Sequence, residues 1–300
     1  MSAPTGKQYA IESGHYRAVV TQGGGVLREL TYDGRPLVAG FPEDRMPDGG
    51  RGQLLVPWPN RIRDGRYEFD GKSHQLALTE PAKSNASHGL VRWAAWSVVA
   101  HDADRVELAC FLPAQTGYPW ALDLRVTYAV GVDGLHVTQA ATNLAASPAP
   151  YASGAHPYLV AGVGPCDDWE LQLPASTRLL TDDERLLPVG REDVTGTDMD
   201  FREPARIGAT VLNHAFTDLE RDDRGRATTT LVGHGGALAL WVDEHHRWLQ
   251  VYTGEETGTP RSSLAVEPMT APPDAFNSGD DLVRLEPGQE LAASWGIRSL

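Results

Sequence analysis

The sequence predicts an all-β protein with few or no long helices, built as a large antiparallel β-sandwich or barrel. Three observations support this prediction. The first two are that short runs alternate apolar and polar residues, and that turn-forming residues separate these runs. The chain contains 31 glycines and 21 prolines among its 300 residues. The third observation is that no window of a dozen residues shows a convincing 3.6-residue apolar period, and the prolines would break most candidate helices.

The clearest predicted strand is ALDLRVTYAV, at residues 121–130. Its apolar residues share one face of an extended chain: Leu122, Leu124, Val126, Tyr128 and Val130. This period of two is typical of a half-buried strand. Asp133 and Gly134 then form a bend before LHVTQAATN, so the two runs are predicted to form a β-hairpin.

Other segments repeat this strand–turn–strand pattern. They are GRYEFDGKSHQLAL (65–78), WSVVAHDADRVELACFL (96–112), GALALWVDEHHRWLQVYT (236–253) and VRLEPGQELAASWGI (283–297). Residues 182–201 are charged and rich in turn formers, and they are interpreted as a long surface loop. Because the sequence contains no internal repeat and no evident linker, residues 1–300 are expected to form a single domain.

Composition limits the partners and the compartment. The net charge of −14 argues against nucleic acid and anionic membranes, because both require a basic surface. Cys110 and Cys166 are the only cysteines, which is too few for a disulfide framework, so reduced thiols are expected. The N-terminus has no apolar signal segment, and a cytoplasmic monomer or homodimer is expected.

Motifs for nucleotide cofactors and catalytic metals are absent from the sequence: it contains no GxGxxG, Walker, GxSxG or HExxH pattern. We therefore expect no cofactor and no metal. The run DEHHRW at 243–248 offers potential ligands. Neighbouring residues on a strand point to opposite faces, and a hairpin turn is expected there. A solvated turn is therefore favoured over a metal site.

Four stretches place polar side chains in surroundings that look buried. Asn60 and Arg61 follow a proline-bounded aromatic segment, and His88 lies in a small polar loop. His156 lies among apolar and small residues, and Glu267 follows an apolar run directly before a proline. Taken singly, each has an ordinary structural explanation, such as a core histidine or a surface ion pair.

Taken together, the four stretches resemble the aldose 1-epimerase (mutarotase) family, whose best-known member is galactose mutarotase. That family carries an NRI triplet, an N-x-x-HG loop, an HPYF-like segment and an E…PDAFN segment, in this order. The corresponding stretches here are 60–62, 85–90, 156–159 and 267–277. The resemblance spans residues 25–296 and implies the galactose mutarotase-like β-supersandwich.

The resemblance also implies an activity, the interconversion of the α and β anomers of a free aldohexose. Opening the sugar ring requires a base that takes the proton of the C1 hydroxyl and an acid that protonates the ring oxygen. By resemblance, Glu267 is the base and His156 is the acid. Burial is expected to raise the pKa of Glu267, and a nearby carboxylate is expected to keep His156 protonated.

The resemblance assigns further residues to the substrate. Arg61 and His88 are expected to bind sugar hydroxyls, because the planar guanidinium group can span two oxygens. Asn60 is expected to brace the same loop. Tyr158 is expected to present a flat aromatic face to the pyranose ring, although a core role is equally open.

One position departs from the family pattern. The family usually has an aspartate where the segment LNHAFTDLE (212–220) has Asn213, which keeps an acceptor oxygen but lacks the charge. Asp218 would substitute for that aspartate only if the loop is rearranged. Both residues are retained as substrate-binding candidates.

Three alternatives remain open. The first is a hexose-6-phosphate 1-epimerase-like enzyme, because the segment HGLVRW is similar to the corresponding sequence of the hexose-6-phosphate epimerases. The second is a sugar-binding protein that keeps the cleft without turnover. The third is a polysaccharide lyase or glycosidase on a similar sandwich. A glycosidase would need a second carboxylate beside Glu267.

Overall fold

Strands dominate the secondary structure of residues 3–300, the part of the chain that this computed structural model describes. In chain order they are β1 (Gln8–Ser13), β2 (Tyr16–Thr21), β3 (Leu27–Tyr32), β4 (Arg35–Pro36), β5 (Leu54–Leu55), β6 (Arg61–Arg63), β7 (Arg66–Phe69), β8 (Lys72–Gln75), β9 (Asn85–Ser87), β10 (Ser97–His101), β11 (Arg105–Leu112), β12 (Leu122–Gly131), β13 (Gly134–Asn143), β14 (Ala149–Tyr151), β15 (Gly154–Ala155), β16 (Tyr158–Leu159), β17 (Gly162–Val163), β18 (Glu170–Gln172), β19 (Ala175–Thr181), β20 (Pro188–Asp193), β21 (Ala205–Arg206), β22 (Asn213–Leu219), β23 (Ala227–Val242), β24 (Trp248–Tyr252), β25 (Leu264–Met269), β26 (Val283–Leu285) and β27 (Glu290–Ser299). Within the same residues, helical structure is limited to the one-turn helix α1 (Ala275–Ser278) and 3-10 turns at Pro81–Lys83 and Cys166–Asp168. The all-β prediction is confirmed.

The strands form two large antiparallel sheets and several small ones. The nine-stranded sheet has the order β10-β11-β12-β13-β27-β23-β18-β21, and β17 pairs with β23. The eight-stranded sheet has the order β20-β19-β22-β24-β25-β15-β5, and β16 pairs with β25. Strands β1 to β4 form a four-stranded sheet whose β1 and β2 pack on β12. Three two-stranded sheets pair β14 with β26, β6 with β9, and β7 with β8.

The predicted hairpins form where the turn signal is local. β12 pairs with β13 in a register that runs from Leu122 opposite Asn143 to Gly131 opposite Gly134. Gly134 has φ of 103°, and a Cβ there would lie 2.3 Å from the carbonyl oxygen of Ile297, so this turn requires glycine. The predicted pairs β7 with β8 and β10 with β11 are also present.

Two strand–turn–strand units contain the predicted strands but do not form hairpins. β23 pairs with β27 in the nine-stranded sheet, whereas β24 pairs with β22 and β25 in the eight-stranded sheet. The turn between them therefore carries the chain from one large sheet to the other. Likewise β26 pairs with β14, and β27 pairs with β13 and β23. Alternation predicts which side chains face the core but does not identify the neighbouring strand.

The interpretation of 182–201 as a loop is wrong in part. This segment contains β20, which pairs with β19 at the edge of the eight-stranded sheet. The strand is mostly exposed and polar. An edge strand of this kind buries little apolar surface, so it lacks the apolar alternation by which strands are recognised in a sequence.

A continuous apolar core joins the two large sheets. It includes Val126 and Tyr128 of β12 from one sheet, and Val251 of β24 and Val266 of β25 from the other. The eight-stranded sheet thus has a rigid backing on which polar side chains can be held in fixed positions. No helix in residues 3–300 is long and apolar enough to cross a membrane.

Candidate active site

Glu267 lies near the end of β25, a strand whose six residues are all buried. The apolar run Leu264–Val266 places this strand between β24 and β16, and Gln250 of β24 stands directly opposite Glu267. Only 2% of Glu267 is exposed. A carboxylate that has lost its hydration needs hydrogen-bond donors or a proton, so its neighbours determine its state.

His156 is the nearest of those neighbours. Its Nε2 lies 3.3 Å from Oε1 of Glu267, and only 4% of the residue is exposed. The backbone N–H of His156 donates to the carbonyl of Gln53, which fixes the segment before β16. Gly50 packs against the imidazole so closely that a Cβ there would lie 2.7 Å from Cδ2 of His156. The ring is therefore held in a tight slot.

Tyr158 packs against His156 at the edge of the cleft. Its ring stacks on the imidazole with centroids 4.9 Å apart and an interplanar angle of 15°. The Arg51 guanidinium lies over the same ring at 4.7 Å from its centroid. The Tyr158 hydroxyl donates to the carbonyl of Gly49. Tyr158 lines the cleft, so its expected contact with a pyranose stays a prediction beside its packing role.

Burial controls the protonation of the pair. It raises the pKa of Glu267 to about 8, while the Arg61 charge acts in the opposite direction. It lowers the pKa of His156 to about 3, and the charge of Arg92 adds to this effect. Within residues 3–300, Oε2 of Glu267 and Nδ1 of His156 have no hydrogen-bond partner. The expectation that a nearby carboxylate keeps His156 protonated is not met, because burial disfavours two separated charges.

Arg61 reaches the cleft from β6. Its Nε and Nη2 donate to the two carboxylate oxygens of Glu80 at 2.7 and 2.9 Å, a two-pronged contact that fixes the guanidinium plane. Nη1 lies 3.4 Å from Oδ1 of Asn60, which supports the expected bracing role of that residue. Asn60 has φ of 54°, a left-handed conformation that asparagine adopts more readily than most residues.

His88 is brought to Arg61 by the pairing of β6 with β9, in which Arg61 stands opposite Ser87. The His88 ring meets His156 edge-on at a centroid distance of 5.5 Å. Burial, together with the charges of Arg92 and Arg61, lowers the pKa of His88 well below its usual value, so the ring is neutral. Its Nδ1 has no hydrogen-bond partner in the described part of the chain.

Asn213 and Asp218 lie on the same strand, β22, but in different places. Asn213 lines the cleft and accepts a hydrogen bond of 2.9 Å from Nε2 of Gln250. Asp218 instead lines a separate depression with Arg191 and Arg247. Five residues of extended strand span roughly 17 Å and reverse the side-chain direction, so Asp218 cannot take the place of Asn213. Assigning Asp218 to the substrate site is therefore wrong.

Comparison with known proteins identifies the family. The sequence profile of the aldose 1-epimerase family matches residues 7–298. The chain belongs to the aldose 1-epimerase family. An Escherichia coli protein, the uncharacterized YihR, is 37% identical over 286 residues, covering 95% of this chain and 91% of YihR. Human galactose mutarotase is 31% identical over 163 residues, covering 52% of this chain and 46% of that protein.

The fold agrees with the same family. A crystal structure of an aldose epimerase homologue from C. elegans superimposes with a TM-score of 0.86 at 20% identity, covering 98% of this chain and 99% of that one. At this identity the similarity establishes the architecture only. It confirms the galactose mutarotase-like fold that the sequence motifs predicted.

In this aldose 1-epimerase family member the cleft encloses roughly 270 Å³. The sequence-predicted residues that line it are Asn60, Arg61, His88, His156, Tyr158, Asn213 and Glu267. The sequence analysis missed other lining residues: Gly49, Gly50, Thr79, Glu80, Ser87, Arg92, Gln250, Tyr252, Glu256 and Thr257. Gln250 lines the cleft because the pairing of β24 with β25 places it opposite Glu267. Glu80 lies 19 residues from Arg61 in the sequence, and the fold brings the two side chains together.

Arg92 is the most consequential of the missed residues. Its Nε donates to Oε1 of Gln53 at 2.6 Å, and burial lowers its pKa. Unlike Arg61, it has no carboxylate within ion-pairing distance among residues 3–300. The only sequence signal was its place in HGLVRW, four residues after His88. It therefore brings an uncompensated positive charge to the cleft of this family member.

The DEHHRW run differs from its predicted state. It forms a turn, but His246 is fully buried, and its Nδ1 lies 2.8 Å from Oδ1 of Asp243. The expectation of a solvated turn is wrong for this histidine, because the turn passes between two packed sheets. The described residues contain no group of three or more His, Cys, Asp or Glu side chains arranged to hold a metal ion.

Proposed function

We propose that this protein is a cofactor-independent isomerase that interconverts the α and β anomers of a free aldohexose. The observation that carries the proposal is the Glu267–His156 pair: two titratable groups 3.3 Å apart, both buried, at the bottom of a cleft. Membership of the aldose 1-epimerase family supports it. A binding protein would have no need of a matched acid and base, whereas ring opening requires both.

The pKa values of the pair define its proton count. With one value near 3 and the other near 8, the pair holds a single proton over that pH range. In the free site this proton resides on Glu267. Moving it to His156 converts the neutral pair into a carboxylate and an imidazolium, which are the base and the acid that ring opening needs.

The reaction then balances without an external proton donor. The C1 hydroxyl gives its proton to the Glu267 carboxylate, and the released electron pair forms the C1 carbonyl. The bond from C1 to the ring oxygen breaks, and the ring oxygen takes the proton of His156. The pair is again neutral, as in the free site. Rotation about C1–C2 exposes the other carbonyl face, and the reverse steps close the ring to the opposite anomer.

The surrounding residues are proposed to hold the sugar. Arg61, fixed by Glu80, can donate to hydroxyl oxygens with a guanidinium whose plane is already set. His88 is neutral, and its imidazole supplies one donor and one acceptor. Asn213 is held by Gln250 with an acceptor oxygen in the cleft. These groups suit a neutral polyol.

Optical rotation tests the proposal. Purified protein is added to freshly dissolved α-glucose, α-galactose and a broad panel of other aldoses, and the approach to anomeric equilibrium is compared with buffer. We expect at least one sugar to equilibrate faster with protein. If none does, and calorimetry detects sugar binding, the protein is a sugar-binding member of the family without turnover.

A second candidate is a hexose-6-phosphate 1-epimerase-like activity. The observation that favours it is Arg92, a cleft cation without a carboxylate partner among the residues that the structure describes. Faster turnover of glucose 6-phosphate than of glucose, reversed by Arg92→Gln, would support this alternative. An unchanged preference in that variant would reject it.

A further inference from the structure

Positive charge gathers on the outer face of the nine-stranded sheet, away from the cleft. Arg224, Arg226 and Arg298 line one depression there, together with His136, Thr228, Trp241 and the carboxylates Asp133 and Asp222. The depression encloses roughly 280 Å³. This cluster is unexpected in a protein whose net charge is −14, because most exposed arginines of such a chain find a carboxylate.

The sheet register builds the floor of this depression. His136 of β13, Gly296 of β27 and Trp241 of β23 stand side by side in one row across three strands. A Cβ at Gly296 would lie 2.5 Å from Nε1 of Trp241, so glycine is required for the indole to lie flat against the sheet. The other end of the indole approaches His136, with ring centroids 5.1 Å apart.

Arg226 is held in place above this floor. Its guanidinium carbon lies 4.0 Å from the centroid of a Trp241 ring, a close cation–π contact. Arg298 lies on β27 two residues beyond Gly296, so its side chain leaves the same face of the sheet. The positively charged groups therefore approach the depression from β27 and from the turn before β23, with Arg226 already ordered.

The guanidinium groups of this cluster lack hydrogen-bond and ion-pair partners among the residues that the structure describes. Throughout residues 3–300, the side chains of Arg224, Arg226 and Arg298 take part in no hydrogen bond and no ion pair, whereas most other arginines of the chain pair with a carboxylate. The nearby Asp222 accepts the backbone N–H groups of Arg224 and Arg226. Three guanidinium groups share the depression with only two carboxylates of the described chain, those of Asp133 and Asp222, so the depression keeps a net positive charge that an anion would balance.

We propose that this depression is a second ligand site that binds an oxyanion, a phosphate or sulfate group, between Arg226 and Arg298. Planar guanidinium groups match the oxygens of a tetrahedral anion, and charge-assisted hydrogen bonds are the strongest that side chains form. The site does not depend on the function proposed for the cleft, because the two share no lining residue.

The indole N–H resonance of Trp241 reports directly on this site. It is assigned in a proton–nitrogen correlation spectrum with Trp241→Phe and followed as inorganic phosphate is added to the full-length protein. Sodium chloride at matched ionic strength is the reference. We expect a saturable shift with phosphate and none with chloride. Arg226→Gln and Arg298→Gln should each weaken the apparent affinity about tenfold.

Two control variants locate the anion. Arg66→Gln removes an exposed arginine of β7 that, within the described chain, also lacks an ion pair, and it should leave the phosphate response unchanged. Arg92→Gln removes the unpaired charge of the cleft and should likewise have no effect. The proposal fails if Trp241 does not respond to phosphate or responds equally to chloride. It also fails if the response survives in both Arg226→Gln and Arg298→Gln, or disappears in Arg92→Gln.

Discussion

Two carboxylate–histidine pairs among residues 3–300 contain a buried histidine, and the contrast between them separates a reactive site from a structural one. Glu267 and His156 lie in the cleft, with Oε1 to Nε2 at 3.3 Å. Asp243 and His246 lie in the turn that joins the two large sheets, with Oδ1 to Nδ1 at 2.8 Å. His156 and His246 are both buried, but the side chain of Asp243 is 18% exposed and that of Glu267 only 3%, so depth accounts for part of the difference.

The number of hydrogen-bond donors around the carboxylate also distinguishes the two pairs. The Asp243 carboxylate accepts the backbone N–H groups of Ser294 at 2.6 Å and His245 at 3.2 Å, in addition to His246. Burial acts to raise the pKa of Asp243, but the hydrogen bond from His246 and the other donors outweigh it and lower the value. Among the described residues Glu267 finds only His156, and its pKa rises to about 8. A buried carboxylate with enough donors stays charged, whereas one without them holds a proton that it can exchange.

The largest expected effect is on catalysis. Glu267→Gln and His156→Ala should each lower the anomer exchange rate by about 10³-fold, because each removes one partner of the proton transfer. Polarimetry on the preferred sugar measures the rate, and circular dichroism verifies the fold. Asp243→Asn is the matched control and should retain most of the activity. Full activity in either cleft variant would remove that residue from its proposed role.

For stability we expect the opposite order: substitution in the Asp243–His246 pair should cost more than substitution in the Glu267–His156 pair. Asp243→Ala should lower the free energy of unfolding by about 2–3 kcal/mol, since it leaves the Ser294 N–H and the His246 ring buried without an acceptor. Glu267→Gln should cause no comparable loss, because Glu267 accepts few hydrogen bonds to begin with. Urea denaturation of both variants beside the unmodified protein measures the difference. Equal losses in the two variants would contradict the distinction between the pairs.

The pH dependence of activity follows from the proton count of the cleft pair. The form that reacts carries one proton, so kcat/KM should stay level across neutral pH. Because the upper pKa is about 8, activity should fall about tenfold per pH unit well above that value. Initial rates between pH 6 and about 10 measure the profile, corrected for the hydroxide-catalysed background. A rate that keeps rising above pH 8 would mean that the deprotonated pair is the reactive form.

The smallest expected effect concerns the departure at Asn213. Asn213→Asp restores the usual family residue, and its charge should favour the protonated form of His156 and change kcat/KM by about 2–10-fold. Asp218→Asn on the same strand should change nothing, because Asp218 faces a different depression. Comparison of the two variants on several sugars measures this effect. Altered kinetics in Asp218→Asn alone would restore that residue to the site.

Local sequence signals predicted the parts of the fold that depend on neighbouring residues. Alternation in 121–130 and the Asp133-Gly134 bend suffice for the β12–β13 hairpin, because pairing and turn lie within one short segment. The separation of β23 and β24 into different sheets was not predictable in this way. A strand's apolar face specifies burial, while its neighbour is chosen by packing across the whole chain.

The sequence likewise predicted only part of the arrangement of the cleft. The motifs predicted that Glu267, His156, Arg61 and His88 come together, and they line one cleft. They did not reveal that Tyr158 packs against His156 and Arg51, or that His156 loses its charge on burial. Both outcomes depend on groups distant in sequence, such as Arg51 and Arg92, and on the exclusion of water.

The most direct test reads the protonation of both carboxyl groups in one experiment. Carbon-13 NMR of protein labelled at the Glu and Asp carboxyl carbons, with Glu267→Gln and Asp243→Asn for assignment, follows each group through pH. We predict that Asp243 is charged from below its usual pKa of 3.8 upwards, whereas Glu267 keeps its proton until about pH 8. A Glu267 signal that titrates near its ordinary value of 4.5 would contradict the central claim.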